Sequence, residues 1–143
     1  MKTWTLVSAL ALNVYLLGVM VMFATVVYPG LGAVERGSFP TLYQAFTGRI
    51  GAPVVAFEFL AFFITLALYA WRPDSVDLGF VHALVALGVA YFAITFAWHL
   101  PSHRALAAGD NSATALAPLL SSQYARTVVQ LVKVGLLSWL LAR

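Results

Sequence analysis

Two charged side chains stand inside apolar stretches of this sequence, where a charge needs a partner or a use. Glu58 lies about eight residues into one apolar stretch, and Lys133 lies about ten residues into another. An ionisable group inside a membrane segment costs about 2.5–3.5 kcal/mol on insertion scales. If both stretches are helices that start from the same membrane face, the two charges reach depths of roughly 12 and 15 Å. Opposite charges at matching depth predict a buried ion pair between Glu58 and Lys133.

A polar stripe accompanies Lys133 in the last apolar stretch. Its members follow the spacing i, i+3, i+7 and i+10, and they are Gln123, Arg126, Gln130 and Lys133. This spacing places all four side chains on one face of a helix, so we expect the stripe to face the inside of a bundle. Asn13 adds an uncharged polar group in the first apolar stretch.

Two interpretations of these polar residues are open. In the first, a ligand pocket or a proton path is lined by Glu58, Lys133, Arg126 and Tyr43, because ionisable residues within a membrane often serve function. In the second, the stripe, including Gln130 and its neighbour Asn13, only holds the helices together through hydrogen bonds.

The positions of the three histidines limit the kinds of haem or metal site that the chain could form. His82 and His99 are about 25 Å apart along one predicted helix, and neither has a histidine partner on another helix. This excludes bis-histidine haem within one chain, while His–Met, single-ligand and oligomeric ligation stay open. His99 and His103 flank Pro101, where the helix is expected to stop. Together with Glu35 or Asp110 they could form a surface metal site, and the alternative is an interfacial histidine pair at a helix end.

The elements that must position these residues are predicted by composition. The chain has 143 residues, of which 62% are hydrophobic and 9% charged, and this balance indicates an integral membrane protein. Four stretches are long enough to cross a bilayer as helices, at about 4–28, 50–71, 78–100 and 123–142. We therefore predict an all-α fold, a four-transmembrane-helix bundle that forms one domain over residues 1–143.

Two stretches between the predicted spans also carry signals. In the first loop, Ser38 could cap a short amphipathic helix whose apolar residues are Phe39, Leu42, Tyr43 and Phe46. The stretch around Pro118 could be a second interfacial cap or an extension of the fourth helix.

Charge and cysteine content restrict the partners. The formal charge of +3 comes from few groups and no basic cluster, so nucleic acid is excluded and the lipid bilayer is the expected surrounding. The absence of cysteine removes iron–sulfur clusters and thiolate metal sites. Four spans place both termini on one side, and we expect that side to be the cytoplasm of a bacterial inner membrane.

Several motifs of the chain resemble a group of small uncharacterised bacterial four-helix membrane proteins. These are similar, more remotely, to the anthrone-oxygenase-like and DoxX-like families. The resemblance rests on Tyr28-Pro29, Tyr43, Arg49-Ile50, Pro53 with Glu58, Pro101 with His103, and Arg126-Thr127. It implies a fold and a membrane location. Histidines that the group often carries beside the two tyrosines are replaced here by Val27 and Gln44.

The function we predict is binding of a hydrophobic or lipid-like ligand, such as a quinone, a lipid or an aromatic metabolite, in a polar-lined pocket of the bundle. The alternative is an accessory subunit of a larger membrane complex or a homo-oligomer, in which small residues such as Gly18, Gly88 and Gly135 permit close helix approach. A proton-coupled transporter with Glu58 as the titrating group, and a membrane oxidoreductase or oxygenase, are further alternatives. No nucleophile-elbow, zincin or phosphate-loop pattern points to a particular enzyme.

Overall fold

Four long helices build the fold, as the sequence predicts. A computed structural model describes residues 2–143, and within them no strand is present. The helices are α1 (Lys2–Leu31), α2 (Phe39–Trp71), α3 (Leu78–Leu106) and α4 (Ala113–Leu141), and each is long and apolar enough to cross a membrane. Each is longer than its predicted span, mainly toward the face opposite the termini.

Pro29 and Pro101 each follow a π-helical turn inside a continuing helix, so the prediction that α3 stops at Pro101 is wrong. The backbone forms a wider π-helical turn at Thr95–His99, directly before Leu100 and the proline. In a regular α-helix the proline ring would clash with the carbonyl group four residues earlier, and the wider turn provides room for it. Helix α1 repeats this arrangement, because the π turn Phe23–Val27 precedes Tyr28 and Pro29.

The amphipathic helix predicted for the first loop is not a separate element. Helix α2 runs without a break from Phe39 to Trp71, and Pro53 lies inside it. Ser38 does precede the first turn, but its side chain makes no capping hydrogen bond. Helix α4 likewise begins at Ala113 and continues through Pro118, capped by Ser112, whose Oγ accepts a hydrogen bond from the Ala115 N–H. Around Pro118, the structure therefore agrees with the helix extension.

The half of the bundle nearest the termini contains an apolar core. Its buried side chains come from all four helices and the α2–α3 loop, and they are Leu6, Ala9, Leu68, Val76, Val81, Leu84, Leu137 and Leu140. At the surface of this half, the side chain of Lys2 on α1 pairs with Asp74 of the α2–α3 loop. This hydrogen bond lowers the pKa of the exposed Asp74 carboxyl group.

The opposite half is held differently, by aromatic and aliphatic side chains around a group of polar residues. Its buried apolar cluster consists of Phe23, Tyr28, Leu31, Phe39, Tyr43, Leu106, Leu116 and Leu119. The loop after α3 is fixed to the end of α1 by Asn111, whose Nδ2 donates to the carbonyl oxygens of Leu31 and Val34 at 3.1 and 2.6 Å. This half contains the candidate site.

Close packing between α2 and α3 depends on Gly88. A Cβ atom at this position would lie 2.7 Å from the Phe62 ring, whereas a Cβ at Gly135 would meet nothing within 4 Å. We expect Gly88→Val to lower the free energy of unfolding by about 1–3 kcal/mol, since overpacking displaces neighbouring side chains. Thermal unfolding in detergent, with Gly135→Val as the matched control, measures the difference. Equal stability of the two variants would contradict this close approach.

Candidate functional site

The polar stripe of α4 faces inward, as predicted. Gln123, Arg126, Gln130 and Lys133 are each no more than 5% exposed. Lipid-facing positions of the same helix are apolar instead, for example Val128 and Leu131, which are more than half exposed. The helical spacing of the polar residues therefore correctly predicts which face of α4 is buried and which is exposed.

The buried ion pair forms between Glu58 and Arg126, so the predicted partner Lys133 is wrong. Arg126 Nη2 lies 2.5 Å from Glu58 Oε1, and both side chains are almost fully buried. Lys133 takes part in neither ion pair found among residues 2–143. Arg126 is two helical turns nearer the face opposite the termini, and its branched guanidinium reaches several acceptors at once.

Tyr91 of α3 contacts both members of this ion pair. Its hydroxyl donates a hydrogen bond to Glu58 Oε1 at 2.6 Å and also contacts the Arg126 guanidinium. Arg126 Nη1 donates to Gln123 Oε1 at 3.2 Å. The Nε atom of Arg126 has no hydrogen-bond partner, and it is the one fully buried side-chain nitrogen or oxygen in residues 2–143 of which this is true. An unpaired buried donor of this kind costs about 1–3 kcal/mol or more.

The remaining polar residues of the prediction serve helix packing. Gln130 Nε2 donates to the backbone oxygen and to Oδ1 of Asn13, both at 2.9 Å, and so ties α4 to α1. Gln123 makes a second tie between these helices through the carbonyl oxygen of Met20. For Asn13 and Gln130, the structural interpretation therefore accounts for every contact.

A second polar cluster, which we call the His–Tyr cluster, lies in the same half of the bundle as the Glu58–Arg126 ion pair. It consists of Tyr28, Tyr43, His99, His103 and Ser122, and the helices α1, α2, α3 and α4 all contribute to it. The Nε2 atoms of the two histidines are 3.1 Å apart. The Tyr28 hydroxyl lies 3.3 Å from His99 Nε2 and 3.2 Å from His103 Nε2.

The contacts of Ser122 determine which nitrogen of His99 carries the proton. Ser122 Oγ lies 2.9 Å from the Leu119 carbonyl oxygen, to which it can only donate. The same Oγ lies 2.9 Å from His99 Nδ1, and it therefore accepts a hydrogen bond there. This pair of hydrogen bonds assigns the proton of His99 to Nδ1 and a lone pair to its Nε2.

The predicted metal site with Glu35 or Asp110 does not form. No group of three His, Asp or Glu side chains that could hold a metal ion occurs in the part of the chain that the structure describes. His99 is buried, and His103 packs against tyrosines rather than acids, because α3 continues past Pro101 and turns both rings inward.

Both polar clusters border one cavity of about 340 Å³. Most of its wall is apolar, including Val19, Phe23, Phe46, Val54 and Leu100. Its polar lining residues are Tyr28, Tyr43, Thr47, Glu58, Thr95, His99, His103, Arg104, Gln123 and Arg126. Of the predicted set, Glu58, Arg126 and Tyr43 line the cavity, whereas Lys133, Gln130 and Asn13 do not.

The cavity reaches the surface of the bundle between α2 and α3. Ile50 and Val55 on α2, and Leu100 on α3, line it and are each more than a third exposed. Arg104 stands at the same edge, one helical turn beyond Leu100. These positions lie on the flanks of two candidate membrane-spanning helices, so the opening is on the side of the bundle.

Tyr28, Tyr91 and Ser122 are site residues that the sequence reasoning missed. A tyrosine in an apolar helix gives no signal of its own, because Tyr15 and Tyr124 of this chain are about half exposed. The spacing of His99 and His103, i and i+4, is a usable signal once the helix is known to continue.

Comparisons with known proteins assign the chain to no family. Neither a protein-family model, nor a curated protein, nor a solved structure matches the chain. The resemblance drawn from sequence motifs therefore stays a prediction.

Proposed function

We propose that this protein binds a hydrophobic or lipid-like small molecule with a polar head, of the quinone, lipid or aromatic-metabolite class. The observation that carries the proposal is the cavity itself, an apolar space with a few convergent polar groups, which is the usual composition of a ligand site. We further propose that the bilayer in question is the inner membrane of a bacterium, with the termini in the cytoplasm, since helical spans are typical of that membrane.

The size and opening of the cavity favour a particular mode of binding. A volume of about 340 Å³ is near the lower limit of small-molecule sites, which run from about 300 to 1,000 Å³. It accommodates a ring or a polar head, while a long hydrocarbon chain would leave through the opening between α2 and α3. A ligand of this kind would enter from the lipid phase without crossing water.

The polar groups of the cavity favour a head that accepts hydrogen bonds. Tyr28, Tyr43 and Arg126 carry donors, and the Nε–H of Arg126 lacks an acceptor within the protein. Glu58 already accepts hydrogen bonds from Arg126 and Tyr91. A carbonyl, ester or phenolic oxygen near Arg126 would therefore complement these donors, of which only the Arg126 Nε–H is unpaired, whereas a cationic head would meet the guanidinium.

Ligand-dependent stabilisation tests this proposal. Purified protein in mild detergent is titrated with a short-chain benzoquinone, a fatty-acid ester and a hydrophobic amine, and thermal unfolding is recorded. We expect one of the two oxygen-bearing compounds to stabilise the protein by about 2.7 kcal/mol at 100 times its dissociation constant, and the amine to have no effect. Stabilisation by none of the three, or equally by all, would contradict a defined site.

A further inference from the structure

The geometry points to a site for a first-row divalent transition-metal ion, held by His99 Nε2, His103 Nε2 and Tyr28 Oη. This site goes beyond the ligand binding proposed above and does not depend on it. The three atoms belong to two different helices, α1 and α3, and all of them border the cavity.

The first support is the spacing of the three atoms. They form a nearly regular triangle with sides of 3.1, 3.2 and 3.3 Å. Ligand atoms bound to one tetrahedral ion at 2.0–2.1 Å are separated by about 3.3 Å. An ion roughly 0.9 Å above the plane of this triangle would reach all three atoms at that distance. The protein thus presents one face of a coordination polyhedron.

The second support is a shortage of hydrogen atoms within the triangle. Its three contacts would need three donors to be ordinary hydrogen bonds. His99 Nε2 carries a lone pair, as the contacts of Ser122 require, so only Tyr28 Oη and His103 Nε2 could donate. Two hydrogens thus serve three contacts, so at least one contact has no hydrogen of its own unless one is shared. A cation removes this conflict, because it uses the lone pairs directly.

The third support lies in the partners of the other ring nitrogens. Histidines that bind metals almost always donate their second N–H to a protein acceptor, which fixes the ring and its tautomer. Here His99 Nδ1 donates to Ser122 Oγ at 2.9 Å. His103 Nδ1 lies 2.5 Å from Tyr43 Oη, which can accept from it while contacting the His103 carbonyl oxygen. Both rings are thus held at Nδ1, with their Nε2 atoms 3.1 Å apart.

Charge and access permit this site. Arg126 borders the same cavity and opposes a cation there, as it opposes a cationic head, and its ion pair with Glu58 reduces this effect. A metal ion, unlike an amine, also gains bonds to the two histidine nitrogens and the tyrosine oxygen. The exposed residues Arg104 and Ala107 extend the opening of the cavity to the end of α3. Tyr28 would bind as the phenolate, and its proton would leave to the aqueous phase on metal binding. Because the protein supplies three ligands, at least one coordination position would remain for water or a further small molecule.

Cobalt binding tests the proposal with the metal alone as the probe. Protein stripped with a chelator is titrated with Co²⁺, and the visible absorption of the bound ion is followed together with the metal content by mass spectrometry. We expect one Co²⁺ per chain, displaced by Zn²⁺. His99→Gln and His103→Gln should each weaken binding at least ~100-fold, and Ser122→Ala about 10- to 100-fold.

His82→Gln is the matched control, since His82 is an exposed histidine on the same helix that lies far from the cluster. It should bind Co²⁺ like the wild type. Should the histidine variants fail to fold, Tyr28→Phe decides, because it removes only a hydroxyl group and should shift the Co²⁺ spectrum while weakening binding about 10-fold. The proposal is overturned if wild-type protein binds no Co²⁺ at millimolar concentration, or if folded variants of the triangle bind it like the control. Neither result bears on the ligand titration, in which no metal is added.

Discussion

Replacing Arg126 by Met should lower the free energy of unfolding by about 3–5 kcal/mol, because the change leaves Glu58 charged and buried without its cation. The guanidinium also contacts Gln123 and Tyr91, so several hydrogen bonds are lost together. Thermal or denaturant unfolding in mild detergent measures the effect. The double variant Glu58→Gln/Arg126→Met should recover more than half of the loss, since no stranded charge remains.

Lys133→Met is the control that distinguishes the Glu58–Arg126 ion pair of the structure from the Glu58–Lys133 ion pair predicted from the sequence. Lys133 is as deeply buried as Arg126, but it makes no ion pair among the described residues. Removing it should therefore change stability by less than about 1 kcal/mol, or increase it, because a desolvated charge disappears. A large loss for Lys133→Met together with a small loss for Arg126→Met would show that Glu58 pairs with Lys133 instead.

Blocking the cavity should abolish ligand binding without unfolding the protein. Gly51 lines the cavity, and a Cβ atom at this position would meet nothing within 4 Å. We expect Gly51→Phe to place its ring in the space a ligand would use and to raise the dissociation constant at least ~100-fold, equivalent to about 2.7 kcal/mol.

Gly135→Phe is the matched variant for this experiment. Gly135 is also a helical glycine with open space around it, but it lies on the outside of α4, away from the cavity. It should bind ligand like the wild type and unfold at a similar temperature. Equal binding by the two variants would mean that the ligand, if one binds, occupies another place.

The inward face of α4 could be predicted from sequence, whereas the partner of Glu58 could not. Helical spacing assigns Arg126 and Lys133 to the same face without any knowledge of neighbours. Choosing between them requires the depth of each side chain in the membrane relative to Glu58. Counting residues along two helices gives this depth only to about one helical turn, because membrane helices tilt by some 20° on average. The reach of the Arg126 side chain then determined the pair.

Pro101 is the reason why the His–Tyr cluster was not predicted from the sequence. Proline normally ends a helix at the preceding residue, so His99 and His103 were expected at an interface rather than in the interior. The π turn at Thr95–His99 lets α3 continue, and the i, i+4 spacing then brings both rings to the same side. Tyr28 follows the corresponding π turn of α1, so both proline-adjacent turns supply residues of the site.

Native mass spectrometry of wild-type protein, released from detergent micelles, shows directly whether the cavity holds a ligand. We expect one bound organic molecule per chain, recovered from membranes and present also in Gly135→Phe. In Gly51→Phe this molecule should be absent while the variant remains folded. Detection of only the bare chain in the wild type, or of the same bound molecule in Gly51→Phe, would contradict a ligand site in this cavity.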